Sequence, residues 1–589
     1  MSYSPLPTSE PAVYPPRSHN DSGPPYPFRA TRGDRRRLLL KVVVGSIGCV
    51  FIFHYVILGA LPTSAYSRHF RPHGDEITDA LYEQAKAQSH EILEHLDPAA
   101  GQPGTFFRDA RPIRSMLAFW ELAEKEVGER QLDTCQGQLG REFIEAYHRS
   151  HMAYCLPKGE DSVGPLLNLT HSETPSRIWC SPVHRDRFSK WWPHPAAPCF
   201  STNIRTVQDD ERKFIASGCQ LTGDGAALFD EMGTERFLGS DLQGIEPEVS
   251  HCKDVIDRTF LVIGRQDQWN PFHVAEDLVT TLVTVFMMAR AVPALIDTRV
   301  QLVFAEGFGM DANHFTPLWD RMGAWAPRRL SLDPWGEDVC LTRTIHSVGA
   351  GASLLSAMGV GNTYSCVSTI TWAAAHYYRH LFGLLPSSLT KEQRTLQRPI
   401  NVLWLSRVKL DNYAQKHNDW SQWRGIRHIT NEPDLIQRLR SGLRQLCDTR
   451  GFGDQGCVFE DAQDVPESWQ MTSPDVIRGD APVPLRFATI DPTVHALETQ
   501  VDYVAHSTIL VSSHGGALGL SLFLPPGQAT ILELQVPGVQ GNWHFQHMAS
   551  EMGHEYEMLG IHQEVDVDEV WGAVERWVRR QARKDPMRV

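Results

Sequence analysis

The sequence predicts an α/β protein built as two doubly wound domains facing a cleft, behind one N-terminal membrane helix. Three observations lead there. Ile509–Pro537 (ILVSSHGGALGLSLFLPPGQATILELQVP) reads as strand, glycine turn, short helix, turn and strand, which is the order of a βαβ unit. Apolar strand-like runs alternate with helical stretches on both sides of a connector at Pro386–Arg398. Val42–Leu61 is a run of 20 residues without Asp, Glu, Lys or Arg, and about 20 residues are needed to cross a bilayer as a helix.

Taken in order, residues 1–37 are rich in Pro and Ser and read as a disordered cytosolic tail. Basic residues crowd the approach to the apolar run, so the positive-inside rule leaves the N-terminus in the cytosol and makes 38–61 a type II signal anchor. Residues 62–110 read as a stem, with Ile77, Leu81, Ile92 and Leu96 as an intermittent helical stripe ended by Pro98–Gly104. The next part, 111–397, begins with 111–250, which carries aromatics and cysteines but no readable motif; Trp191-Trp192 reads as core packing rather than a sugar platform. Strands follow at 259–264 and 300–307, with a long apolar helix at Phe272–Arg290 between them. A second domain, 398–562, opens with a strand at 401–407 and a helix at Asp434–Leu446 with Leu435, Leu439 and Leu443 at spacing four. A helix at Glu498–Ser507 leads into the glycine-turn unit, and a terminal helix with Val570, Val574, Trp577 and Val578 on one face fills 563–589.

The chain of 589 residues carries a net charge of −14; its first 41 residues hold seven basic and three acidic ones, so the remainder stands at −18. A body that acidic argues against nucleic-acid binding. Of 11 cysteines, Cys49 falls in the anchor and ten lie beyond it, an even number that suggests disulfides in an oxidising lumen, with pairing unread. Of two N-x-S/T sequons, Asn20 is cytosolic on this topology and Asn168 is lumenal, so Asn168 is the expected glycan site.

Candidate chemistry gathers at three places. In QWNPFHVAEDLVTTL, His273 and Asp277 stand four apart at a helix start just after a strand and share a helix face. Asp277 serves as a general base or orients His273 as the base, with Glu276 expected to point elsewhere; the plainer reading is a capping, solvent-facing pair behind Asn270-Pro271. Ser406-Arg407 ends a strand, where an arginine grips a diphosphate bidentately, and Arg427 is a second phosphate contact or an exposed charge. Asn431 reads as a helix cap. Gly515-Gly516, after His514, leave backbone N–H groups at a helix N-terminus, a ready phosphate site, although a tight packing turn reads equally well.

Rival motifs fail. A lipase-like His-Gly-Gly turn lacks a G-x-S-x-G elbow, and Gly349-Ala350-Gly351 follows no clear strand. Asp566-Val567-Asp568 has the D-x-D form of metal-dependent transferases but sits where acids cap the last helix. His544, His547, His554 and His562 lack acid or cysteine partners at metal spacing and read as structural or surface residues, so no metal site is expected.

Three ordered blocks together resemble glycosyltransferase family 61, which includes the plant β-1,2-xylosyltransferases and the EGF-domain-specific O-GlcNAc transferase. Asn270-Pro-Phe-His273 with Asp277 is similar to its N-x-x-H-x-x-x-D element. LWLSR (403–407) with Arg427-His-Ile-Thr-Asn431-Glu-Pro-Asp-Leu435 is similar to its second element, and 512–534 to its HGA-G-L…FLP-G block, with Gly516-Ala517 here where Ala-Gly is usual. The resemblance covers about 255–560 and implies a GT-B fold with a UDP-sugar donor in the C-terminal half. It further implies an acceptor toward the N-terminal half and inversion at the anomeric carbon in the Golgi or ER, with xylose or N-acetylglucosamine favoured. Under it, Asp277 or His273 is the base; Ser406, Arg407, Arg427, His514, Gly515 and Gly516 hold the donor, Glu533 bonds its ribose, and no metal is required. The alternative is a degenerate glycan-binding or scaffold protein on the same fold.

Overall fold

A computed structural model describes residues 108–583, apart from internal segments of which the longest are 161–173, 183–196, 233–241, 306–314, 349–354, 356–365, 385–398, 418–426 and 462–481. The expected tail and anchor, nearly all of the stem, Asn168, Trp191-Trp192, Gly349-Ala350-Gly351 and the connector Pro386–Arg398 lie outside the described residues.

Two helices, α1 (Pro112–Glu129) and α2 (Arg141–Arg149), precede β1 (Met152–Leu156), β2 (Arg177–Cys180), β3 (Cys199–Thr206), β4 (Phe214–Ser217) and β5 (Gln220–Leu221). Then come α3 (Gly223–Met232), β6 (Leu242–Glu246), β7 (Asp254–Ile263), α4 (Pro271–Ala291), β8 (Val300–Phe304), α5 (Thr316–Arg321), β9 (Trp325–Arg329), β10 (Val339–His346) and α6 (Thr369–His380). These strands form a ten-stranded sheet whose main path runs β5-β1-β2-β3-β10-β7-β8-β9. It is not the uniformly parallel sheet of a doubly wound domain. On that main path only β10, β7, β8 and β9 pair in parallel, whereas β3 joins β10 antiparallel and β1 and β2 continue that way; off it, β4 joins β3 antiparallel and β6 joins β4 in parallel. The unreadable 111–250 region is therefore an antiparallel extension of the sheet together with helices α1, α2 and α3.

The second half comprises β11 (Ile400–Leu405), α7 (Val408–His417), α8 (Glu432–Asp448), β12 (Cys457–Asp461), β13 (Val483–Ile490), α9 (Leu497–Ala505) and β14 (Ile509–Ser513). A 3-10 helix (Gly516–Phe523), β15 (Thr530–Gln535), α10 (His544–Glu551), β16 (Glu555–Gly560) and α11 (Val567–Arg583) complete it. Its six strands are parallel throughout, in the order β12-β13-β11-β14-β15-β16. Both faces of its central strands β11, β14 and β15 are buried, which is why these read as largely apolar runs. Along β11, Val402 and Trp404 point to one core while Leu403 and Leu405 point to the other, and Val511 and Leu510 split the same way on β14.

One of these cores spans both sheets: Leu261 and Leu302 of the first share it with Leu403 and Leu510 of the second, through α4 and α6. Asn270 caps α4, accepting the Phe272 N–H at 3.1 Å, and Pro271 supplies the fixed φ of a first helical turn. By length and composition α4 is apolar enough to cross a membrane, but its most apolar window is 89% buried inside the protein, so it is a core helix. Trp120 of α1 stacks on its Phe286 at 4.5 Å. On the far face, Leu435, Leu439 and Leu443 of α8 pack with Val570, Val574 and Val578 of α11, as their spacing predicts. Asn431 corrects one expectation: it stands at the α8 N-cap position but does not cap. Its side chain instead bonds both backbone groups of Val565, at 2.9 and 2.8 Å, tying α8 to the approach to α11.

All ten cysteines beyond the apolar run pair: Cys135–Cys366, Cys155–Cys219, Cys180–Cys199, Cys252–Cys340 and Cys447–Cys457. Three of the bonds lie within or beside the antiparallel extension, where the strands are short.

Candidate active site

In the six-stranded sheet the chain fills one side of β11 with β13 and β12, then returns through β14 to build the other side. Such a reversal opens a crevice beyond the carboxyl ends of the two central strands, where ligands of parallel sheets bind. Ser406-Arg407 follows β11 and His514-Gly515-Gly516 follows β14, so both flank that crevice. The ten-stranded sheet reverses between β7 and β10, and the loop leaving β7 runs into α4 with His273 in its first turn.

Glycines bring the two crevices together. A Cβ on Gly516 would fall 2.1 Å from Asn270 Oδ1, and one on Gly519 only 2.4 Å from the N and Cα of Phe272. The absence of side chains at these positions is what lets the glycine turn seat on the N-terminus of α4. Gly515 differs. Its φ of 168° is extended backbone that any residue adopts, and its Cβ would stand 3.7 Å from Arg407 Nη1 and 3.8 Å from Arg427 Nη1. Two guanidiniums therefore converge on the open face of one glycine. Burial and the neighbouring Arg407 charge pull the Arg427 pKa down to about 10, against the opposite pull of Glu533. Asp411 backs Arg407, meeting it at 3.5 Å, and also holds His428 Nδ1 at 2.9 Å. Like charges held this close form a cradle preorganised for an anion such as a diphosphate.

His273 and His514 are each backed by a carboxylate. His273 Nδ1 lies 2.7 Å from Glu276 Oε2, with Glu276 buried and His273 partly open to solvent. Glu276 thus does not point elsewhere, because positions three apart on a helix meet as readily as those four apart. Asp277, expected as a base or as the orienter of His273, is 4% exposed and accepts the Gln266 N–H at 3.1 Å, which holds the loop after β7. His514 Nδ1 bonds Glu533, whose carboxylate also accepts from Gln535 Nε2 at 3.0 Å and from the Tyr556 hydroxyl. Glu533 has no exposed surface, so it is a support for His514 and not a contact for a ribose.

Ser406 is likewise turned inward. Its Oγ accepts the Val408 N–H at 3.2 Å at the start of α7 and bonds Glu432, whose pKa burial raises. Sequence reasoning missed His544. Its ring packs at a tilt on Phe272, centroids 4.6 Å apart, and burial, with the nearby charges of His514 and His273, drives its pKa down to about 3. It is a neutral imidazole beside the other two, brought there by α10, and no local motif marks it. Asp566 accepts the N–H groups of Asp568 and Glu569 as a helix cap, and His547 is buried. Among the described residues no group of three His, Cys, Asp or Glu converges as a metal site.

The chain is thus a mixed α/β protein with parallel strands in both sheets and a basic cradle beside a histidine–carboxylate pair. No protein-family model matches the sequence, and neither does any curated protein.

Proposed function

We propose that the protein is an inverting glycosyltransferase of the family 61 type, with a GT-B arrangement of its two sheets. It moves a sugar, xylose or N-acetylglucosamine by the family's habit, from a UDP-sugar to a hydroxyl of a glycan or glycoprotein. The observation that carries this reading is the convergence of Arg407 and Arg427 on Gly515, next to the His273–Glu276 pair from the other sheet. A diphosphate seated on Gly515 meets both guanidiniums, and the sugar it carries lies toward α4.

His273 accepts the proton of the acceptor hydroxyl on Nε2 while Nδ1–H stays on Glu276, which stabilises the imidazolium that forms. The acceptor oxygen bonds to the anomeric carbon as its bond to the β-phosphate oxygen breaks, and the sugar inverts. The charge left on the diphosphate falls to Arg407 and Arg427. His514, fixed by Glu533, and the neutral His544 line the space between base and cradle. Asp277 keeps the loop under His273 in place.

The same reading makes this a type II membrane protein of the Golgi or ER, anchored by 38–61 and glycosylated at Asn168. The five disulfides agree with an oxidising lumen. The test is a panel of nucleotides and nucleotide sugars against the full-length protein in detergent, read by thermal stabilisation and by sugar transfer. UDP and one UDP-sugar are expected to stabilise it. Stabilisation by none of them would refute the donor site and favour the glycan-binding alternative.

A further inference from the structure

Arginines of the described fold mostly meet carboxylates, as Arg177 does with Glu160, Arg205 with Asp338 and Arg343 with Asp257. Three arginines on or beside the neighbouring strands β7, β8 and β9, which end at the sheet edge, do not. Among the described residues Arg258, Arg299 and Arg328 have no carboxylate partner and lie over indole rings instead. Arg258 and Arg299 sit 4.3 and 4.5 Å from the Trp325 centroid, and Arg328 sits 5.1 Å from that of Trp335. Their other bonds are to neutral acceptors, Gln301 Oε1 for Arg258 and the Asp333 carbonyl for Arg328. Arg329 follows, paired with Asp333 at 3.0 Å. A guanidinium resting on an indole keeps the N–H groups of its rim for an anion. The nearby acids Asp257, Asp297 and Asp333 are paired with other arginines, so these three cations face outward from a body that carries net negative charge.

Resting on the glycosyltransferase reading, we propose that this edge binds the acceptor and that the acceptor is an acidic glycan, a saccharide chain bearing carboxylates or sulfates. Three features choose this occupant. The edge strand β9 contains Pro327, which lacks the N–H needed to template an added peptide strand. Recognition here is therefore by side chains. β9 also runs parallel to β8, with Trp325 opposite Gln301 and Arg329 opposite Phe304, so the row of arginines leads toward the carboxyl ends of the strands. That is the end of the sheet where β7 delivers the chain to His273. Finally, five residues of strand span on the order of 15 Å, long enough to fix an extended chain at several points rather than a single ion.

The test titrates full-length protein in detergent with an oligogalacturonate, with neutral dextran and polyglutamate as comparators. Wild type is expected to bind the oligogalacturonate in a salt-dependent way, and Arg299→Ala with Arg328→Ala to weaken it about tenfold, since exposed charge contacts are each modest. Arg299→Lys with Arg328→Lys is expected to restore only part, because the charge returns without the planar stack. UDP stabilisation, read in the same preparations, is expected to be equal in all variants. No binding by wild type, or equal binding by the alanine variant, overturns the proposal. Polyglutamate binding as tightly as the oligogalacturonate overturns it in favour of an acidic protein partner. Loss of UDP stabilisation in wild type itself, with arginine-dependent oligogalacturonate binding intact, refutes the donor reading and the acceptor role but leaves the anion surface standing.

Discussion

Gly515→Ala is the sharpest test of the cradle, because the added methyl has room in the fold but none beside a phosphate. Its Cβ would lie 3.7 and 3.8 Å from the Nη1 atoms of Arg407 and Arg427, ordinary contact distances, and the backbone there is extended. No strain is expected, and Gly→Ala at a compatible position stabilises by about 0.4–1 kcal/mol through the unfolded chain. A phosphate oxygen bonded to a guanidinium needs to approach to about 2.8 Å, so the methyl stands in its place. Losing one charge-assisted hydrogen bond costs about 1.5–3 kcal/mol, or roughly ten- to 150-fold in affinity. Calorimetric titration with UDP should therefore show that loss while the melting temperature holds or rises slightly. Gly519→Ala is the control of opposite kind: its Cβ falls 2.4 Å from backbone atoms of Phe272, so it should lower the melting temperature by several degrees or prevent folding. Unchanged UDP affinity in a folded Gly515→Ala protein would refute the cradle.

Removing the base, His273→Ala, should cost about 10²–10⁴ in kcat with the melting temperature nearly unchanged, and Glu276→Gln should cost less but in the same direction. Asp277→Asn should act mainly on stability, through the Gln266 N–H it holds; a kcat loss as large as that of His273→Ala at equal stability would return the base role to Asp277. Burial raises the Glu551 pKa from 4.5 to about 8, so between those values the unfolded chain carries the charge and the fold does not. Stability should fall by about 1.4 kcal/mol per pH unit as pH rises across that window, and Glu551→Gln should flatten the slope in pH-dependent denaturation. His346 runs the other way: burial lowers its pKa from 6.5 to about 3, so its contribution falls as pH drops below 6.5, opposing the Glu551 slope between 4.5 and 6.5 and leaving that slope to be read from 6.5 to 8. Removing Cys135–Cys366, which closes 231 residues, should cost about 5 kcal/mol on the chain-entropy argument, against about 3 for Cys447–Cys457, which closes 10, compared by urea unfolding.

The elements that sequence reasoning located are those with an unambiguous period. Helix α4 was expected at Phe272–Arg290 and runs Pro271–Ala291, and β14 and β15 fall where their apolar runs lie. The antiparallel extension was illegible because its strands are as short as two residues and are secured by disulfides, whose pairing no local pattern reveals. In the site, Arg407, His514 and the glycines were legible because each follows a strand of a parallel sheet, whereas Arg427 lies between α7 and α8 and follows none. Glu276 was misjudged by favouring spacing four over spacing three on one helix. His544 meets Phe272, far along the chain, Asp411 carries no motif that marks it, and Glu533 looked available for a ribose because a strand end does not show that Tyr556 and Gln535 close over it.

The glycine turn admits two readings from sequence, phosphate cradle or tight packing, and the geometry divides them among its residues. Gly516 and Gly519 are glycine because the N-terminus of α4 occupies the space a side chain would take. Gly515 is under no such demand; nothing in its backbone or its neighbours excludes alanine, and the space beside it is bounded by two arginines. A packing requirement alone therefore leaves Gly515 unexplained, whereas a ligand seated against it accounts for the missing side chain and for the two converging cations together. The packing glycines serve that site as well: seating the turn on α4 is what sets His273 of one sheet beside the cradle of the other, so on the proposed function Gly516 and Gly519 also fix the distance between base and leaving group.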